Sequence, residues 1–191
     1  MKIENFLEER KKRLRLRELH PAIQRKEGDI LINGKWFINL SSNDYLGLSS
    51  HPRLISAVKN CSEIYGVSAS SSRLLSGDFE LHHRLEDEIS SFVQKEASLT
   101  FASGYQTNVG VIPAVCKKGD AIFLDRLAHA SIVDGARLSG AKIFRFAHND
   151  VDHLEWSLKK NRKDFKTGLI ITEALFSMEG DTPPICKILS L

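Results

Sequence analysis

Residues 121–172 read AIFLDRLAHASIVDGARLSGAKIFRFAHNDVDHLEWSLKKNRKDFKTGLIIT, and this stretch decides the fold class. Ala121 to Leu124 is a short apolar run ending in Asp125, which predicts a strand. Ala130 to Ser139 carries helical spacing, with Gly140 as its C-terminal stop. Lys142 to Phe146 predicts a second strand. Asp152-His-Leu-Glu155 has the pattern of a capping box opening a helix. Gly168 to Thr172 predicts a third, buried strand. Strands alternating with helices at this pitch imply a mainly parallel sheet covered by helices on both faces, an α/β protein with three α/β/α layers. Ligands in such sheets collect at the carboxyl ends of the strands. The positions to examine are therefore Ser103-Gly104, Asp125 to His129, His148 to Asp150, and Glu173 to Ser177.

Upstream, the same alternation begins with Ser98 to Phe101 as a strand and Gly104 to Val115 as a helix. Pro113 inside that helix predicts a kink or an early end. Leu81, Leu85, Ile89 and Phe92 repeat at helical spacing, so Phe79 to Gln94 is expected to be an amphipathic helix. Ser68 to Ser76 is serine-dense, but Arg73, Leu74 and Leu75 interrupt it, which favours a structured loop over a linker. Pro52 suits the first turn of a helix running to about Tyr65. Two β-prone runs, Asp29 to Ile32 and Lys35 to Ile38, are joined by Asn33-Gly34, a strong hairpin signal. Ile3 to Leu19 reads as a polar helix. The expected division is a helix-and-hairpin segment over 1–40 and a larger α/β domain over 41–191.

The 191 residues are 42% apolar and 27% charged, with a net charge of +3, an ordinary balance for a globular protein. The basic run from Arg10 to Arg17 is read as a solvated helix face, so neither nucleic acid nor membrane is expected as a partner. Cys61, Cys116 and Cys186 stand far apart, which argues against a disulfide framework. The start of the chain has no apolar signal region, and no run of 18 apolar residues occurs, so a cytoplasmic protein is expected.

Three places carry candidate chemistry. At Ser103-Gly104 a helix begins directly after an expected strand; free N–H groups and the helix dipole make such a start an anion site, although glycine also serves there for geometry alone. His129 follows the strand ending at Asp125. Its imidazole suits stacking on an aromatic cofactor or proton transfer, although position alone favours an ordinary helix-start histidine. Glu173 and Ser177 fall at the carboxyl end of the last strand, within reach of a polar ligand. His82-His83 and the set His148, Asp150 and His153 lack a zinc spacing, and no metal is assigned.

Several blocks together resemble one family, the α-oxoamine synthases: Asn39-Leu-Ser-Ser-Asn-Asp-Tyr-Leu-Gly-Leu48, Ser72-Arg-Leu-Leu-Ser-Gly-Asp78, Phe101-Ala-Ser-Gly-Tyr105, Asp125-Arg-Leu-Ala-His-Ala-Ser131 and Thr172-Glu-Ala-Leu-Phe-Ser-Met-Glu-Gly-Asp181. Arg145-Phe-Ala-His-Asn-Asp150 leans toward the branch that makes 8-amino-7-oxononanoate for biotin biosynthesis. The resemblance implies the fold-type-I aminotransferase scaffold, a homodimer, and pyridoxal 5′-phosphate as cofactor. It implies decarboxylative condensation of L-alanine with pimeloyl-CoA or a pimeloyl-carrier protein. By resemblance, Gly104 and Tyr105 bind the cofactor phosphate, and His129 stacks on its ring as the catalytic histidine and meets substrate. Ser177 bonds its phenolic oxygen, with Glu173 also in the cofactor site, and Arg17 and Asn43 contact substrate. Related activities in the same family are 2-amino-3-ketobutyrate CoA ligase, 5-aminolevulinate synthase and serine palmitoyltransferase; a half-length binding or regulatory protein is the non-catalytic alternative.

Two departures from the family pattern stand out. Ser68-Ala-Ser-Ser-Ser72 replaces a glycine-rich run. Family chains are about twice as long, and no lysine here lies in the motif of the Schiff-base lysine, so the 191 residues are expected to be inactive alone.

Overall fold

The computed structural model describes residues 3–191. Its contacts divide the chain into two compact units, Met1–Phe79 and Glu80–Leu191.

In the first unit, α1 (Ile3–Lys12) is followed by a three-stranded antiparallel sheet of β1 (Ala22–Lys26), β2 (Asp29–Ile32) and β3 (Lys35–Ile38), with β2 in the middle. The expected hairpin is β2–β3. Ile32 pairs with Lys35 across Asn33 and Gly34, whose φ values of 49° and 75° are those of a type I′ turn. β1 is an additional strand that its polar sequence, AIQRK, did not announce.

The first helix stops at Lys12, well short of Leu19. Leu14 takes a left-handed φ of 52°, and the Arg15 N–H donates to Arg10 O at 2.8 Å while the Leu14 N–H donates to Lys11 O at 3.0 Å. That pair of bonds closes the helix before its basic run is finished. Two basic residues at the end of α1 and just past it have local partners: Arg13 pairs with Glu9 at 2.6 Å, and the Arg10 guanidinium lies 5.0 Å from the Phe6 ring centre. α2 (Pro52–Tyr65) starts as expected, with Pro52 in its first turn and His51 as cap. The serine-rich segment is a structured loop, held by an Arg73–Asp78 ion pair at 2.6 Å.

The second unit carries α3 (Glu80–Phe92), α4 (Gly104–Val115), β4 (Ala121–Asp125), α5 (Ala130–Leu138), β5 (Lys142–Phe146), α6 (Val151–Asn161), β6 (Gly168–Ile171) and α7 (Ile185–Leu189). β4 lies between β5 and β6 and is parallel to both. Alternation along β4 sends its side chains to two separate cores. Ile122 and Leu124 pack with Ile112 and Cys116 of the α4 segment and with Ile132 and Ala136 of α5. Ala121 and Phe123 pack on the opposite face with Leu154 of α6 and Ile188 of α7. Ile122, Phe123 and Leu124 are fully buried, each contributing roughly 1.5–3 kcal/mol of apolar transfer. The three α/β/α layers are thus present, with β4 as the central strand.

Several expectations are revised here. Ser98 to Phe101 is irregular chain and not a strand. Its polar groups bond instead to α3: Ser98 Oγ donates to Glu86 O at 2.7 Å, and the Thr100 N–H and hydroxyl donate to Glu86 Oε1 at 2.8 and 3.0 Å. On α3 it is Glu86 that is buried, whereas Leu81, Leu85, Ile89 and Phe92 are exposed. The cap of α6 is Asp150, whose carboxylate accepts the His153 N–H at 2.8 Å, two residues before the expected box. β6 ends at Ile171 and is half-buried, because it flanks β4 on one side only. Pro113 is accommodated in the last turn of α4, which ends two residues later.

Candidate active site at the strand ends

α4 begins where the irregular segment turns. Ser103 is its N-cap, with φ −158° and ψ 157°, and its hydroxyl accepts the Gln106 N–H at 3.2 Å. The Thr107 N–H donates to Ser103 O at 3.0 Å, which starts the helical ladder. The N–H groups of Gly104 and Tyr105 have no intrahelical acceptor at this position. A Cβ built on Gly104 meets nothing within 4 Å, so the backbone there is open to approach by a ligand.

α5 crosses α4 closely. Gly135 makes the crossing possible, since a Cβ there would lie 2.4 Å from Asn108 O. Two side-chain bonds span the crossing: the Tyr105 hydroxyl to Asp134 Oδ2 at 3.2 Å, and Asn108 Nδ2 to Ser131 Oγ at 2.8 Å. The Asp134 carboxylate raises the Tyr105 pKa, through its charge first and its hydrogen bond second. His129 caps α5. Its Nδ1 accepts the Ser131 N–H at 3.1 Å and lies 2.7 Å from Ser131 Oγ. The His129 backbone N–H donates to Glu173 Oε1 at 2.5 Å, which ties the end of β6 to the start of α5. Asn108 follows Gly104 by four residues, about 6 Å along the helix. The hydrogen-bond chain Asn108–Ser131–His129 therefore puts the α4 start, His129 and Glu173 in one neighbourhood.

Ser177 lies a little further on, exposed in the turn between Phe176 and Asp181, which are bridged by Phe176 N–H to Asp181 O at 2.9 Å. This turn is held by a network that the sequence did not assign. Asp125, buried at the end of β4, accepts from the Leu127 N–H at 2.8 Å and the Asn149 N–H at 3.1 Å. His148 bridges Asp125 (Nδ1 to Oδ1, 2.9 Å) and Asp181 (Nε2 to Oδ2, 3.1 Å), and its ring meets Phe176 edge-on at 4.4 Å. The Asp125 hydrogen bond raises the His148 pKa; burial opposes this, and Asp181 adds to the rise.

His148, Asp150 and His153, considered above as a set, have separate tasks: a bridge between carboxylates, a helix cap, and, for His153 Nδ1, acceptance of the Ala147 N–H at 3.0 Å. Thr172 Oγ1, just beyond β6, and Asn149 Oδ1 are buried without a hydrogen-bond partner. Arg17 and Asn43 belong to the first unit, where both are exposed, Arg17 in irregular chain after α1 and Asn43 in the bend before Asp44. Asn108 and Ser131 escaped the sequence reading. Their signals were local: Asn108 lies one turn after Gly104, and Ser131 lies two residues after a capping histidine.

The family description "Aminotransferase class I and II" matches residues 35–191. The chain belongs to this family. Within it, the similarity is to α-oxoamine synthases. An 8-amino-7-oxononanoate synthase of Alkaliphilus metalliredigens is 46% identical over 165 residues, which are 86% of this chain and 42% of that protein. That of Alkaliphilus oremlandii is 42% identical over 191 residues, 98% of this chain and 48% of its own. Among solved structures, a variant serine palmitoyltransferase from S. paucimobilis with a bound PLP–myriocin aldimine superposes with a TM-score of 0.91 at 31% identity, covering 99% of this chain and 48% of that one. The 8-amino-7-oxononanoate synthase of Francisella tularensis gives 0.65 at 29% identity, covering 78% and 41%. The chain spans about half the length of the curated relatives it matches.

Proposed function

We propose that this chain supplies the N-terminal share of a pyridoxal-phosphate-dependent acyltransferase that condenses L-alanine with pimeloyl-CoA or a pimeloyl-carrier protein. The observation that carries the reading is the joint placement of an open helix start at Gly104-Tyr105 and a hydrogen-bonded imidazole at His129, both near the carboxyl ends of parallel strands. The residues fit a phosphorylated aromatic cofactor. The N–H groups of Gly104 and Tyr105 and the positive end of α4 would hold the phosphate. The His129 ring would cover one face of the pyridine, Ser177 would donate to its phenolic oxygen, and Glu173 would hold the His129 backbone in place. When bound, pyridoxal phosphate supplies the electron sink that stabilises negative charge on the amino-acid α-carbon.

The chain's own residues bind and orient; Arg17 and Asn43 are proposed for substrate contact. Residues 41–191 would be the N-terminal part of the cofactor-binding domain and residues 1–40 an accessory segment. The working enzyme is proposed to be a cytoplasmic homodimer; among the described residues no helix is long and apolar enough to cross a membrane. The lysine that would hold the cofactor covalently is expected in the half of the relatives' length that this chain does not span. The choice of L-alanine over other amino acids rests on the 46% identity to an 8-amino-7-oxononanoate synthase, against 31% for the palmitoyltransferase.

Gly104→Pro tests the phosphate cradle. Proline is well tolerated at the first helical position, and Ser103 already has the extended geometry that a residue before proline prefers. The substitution removes one N–H and leaves the fold intact. Pyridoxal phosphate is expected to bind the native chain more tightly than pyridoxal does, and Gly104→Pro to weaken it about tenfold or more, the loss of a hydrogen bond to a charged group. Equal affinity for the two ligands in the native chain would sink the reading.

A further inference from the structure

We infer that Asn108 and Ser131 are positioning residues that fix the His129 imidazole as the tautomer carrying its proton on Nε2. The Ser131 backbone N–H can only donate, and at 3.1 Å from His129 Nδ1 it favours a lone pair on that nitrogen without fixing it alone; the hydroxyl completes the choice. Ser131 Oγ lies 2.7 Å from the same nitrogen and 2.8 Å from Asn108 Nδ2. The amide donates to the hydroxyl oxygen, which directs the hydroxyl's own proton to Nδ1. Asn108, Ser131 and His129 thus form a one-way chain of donors ending on the ring, and the proton of the neutral imidazole is left on Nε2.

Burial makes the chain selective. Ser131 is 1% exposed, so water does not compete for its hydroxyl, whereas the His129 ring it serves is exposed. The backbone beneath the ring is fixed separately by Glu173 Oε1. The close crossing of α4 and α5 at Gly135 brings Asn108 within reach. A ring whose plane and tautomer are set before a ligand arrives has less freedom to lose on binding. The use of the ring as a cofactor-stacking group rests on the function proposed above; the tautomer does not.

The test is nuclear magnetic resonance of the full 191-residue chain with ¹⁵N-labelled histidine, with the His129 signals assigned by their loss in His129→Gln. The native chain is expected to show protonated Nε2 and unprotonated Nδ1 for neutral His129. Asn108→Asp, which offers only acceptor oxygens and so draws the Ser131 proton away, and Ser131→Ala are expected to give mixed tautomers; Ser131→Thr, which keeps the hydroxyl, restores the native pattern. A native ring protonated on Nδ1, or variants that leave the tautomer unmoved, overturns the inference, and the native spectrum alone decides this if a variant does not fold. Pyridoxal phosphate titration separates the two readings. Asn108→Asp and Ser131→Ala are expected to lower its affinity about three- to tenfold, the scale of one hydrogen bond, with Ser131→Thr near native. If His129→Gln binds pyridoxal phosphate as tightly as the native chain, the stacking role falls while the tautomer assignment stands.

Discussion

At Gly77 a missing side chain matters more than any present one. A Cβ there would sit 2.0 Å from the Ser71 carbonyl oxygen and 2.6 Å from its carbon, both backbone atoms that cannot rotate away. The loop folds back on itself here: the Gly77 N–H donates to Ser72 O at 3.1 Å, and Arg73 pairs with Asp78 on either side. Gly77→Ala is therefore expected to destabilise the first unit by about 1–3 kcal/mol, the usual range for forced overpacking, measured as a lower urea midpoint with an unchanged slope. Gly104→Ala, with open space around the same atom, is the control and is expected to change stability little. The sequence showed both glycines inside short motifs, but it did not distinguish a glycine that makes room for its own chain from one that leaves room for something else. The Asp125–His148–Asp181 bridge was equally hidden, because its members are 23 and 33 residues apart and meet only when two loops converge on the end of β4.

Among the elements, strands were legible where burial dictated them. Ala121 to Asp125 and Lys142 to Phe146 fell where their apolar runs predicted, and the Asn33-Gly34 hairpin followed from turn chemistry alone. Helix ends were less legible, since α1 is closed by a leucine and α3 by Gln94, both at positive φ, where glycine is the usual signal. Ser98 to Phe101 has strand composition, yet its hydrogen bonds go to Glu86, a residue that no period analysis selects. The α4–α5 crossing shows how one position governs a whole contact. Gly135→Ala would press a methyl group to 2.4 Å from Asn108 O and 3.0 Å from Ile112 Cδ1, so the helices must separate. The expected result is a loss of about 1–3 kcal/mol together with weaker pyridoxal phosphate binding, as the Asn108–Ser131 bond lengthens with the helices. Loss of stability with unchanged ligand affinity would mean that the crossing does not govern the His129 ring.

On the scale of the molecule, these local networks set how stability depends on pH, and His148 determines the neutral side. Its pKa is raised in the folded chain, chiefly by the Asp125 hydrogen bond, over an unfolded value of about 6.5. A group whose folded pKa lies above its unfolded one binds more protons in the folded state, so its contribution is fully present below about pH 6.5 and is lost as pH rises through the folded value. On the acid side, Asp120 acts in the opposite sense. Its pKa is lowered first by the Lys117 backbone N–H at 3.0 Å, so its contribution is present above about pH 4 and lost as pH falls through the folded value. Urea unfolding across pH 3 to 9 is therefore expected to give a plateau bounded by these two losses. Asp181→Asn removes one of the two charges that favour the His148 cation while leaving an amide to bond it, so it should flatten the fall on the alkaline side and leave the acid limb in place. It should also loosen the turn carrying Ser177, because His148 reaches that turn through Asp181 and Phe176. An alkaline limb of the same steepness in Asp181→Asn and native protein would mean that Asp181 does not contribute to the raised His148 pKa.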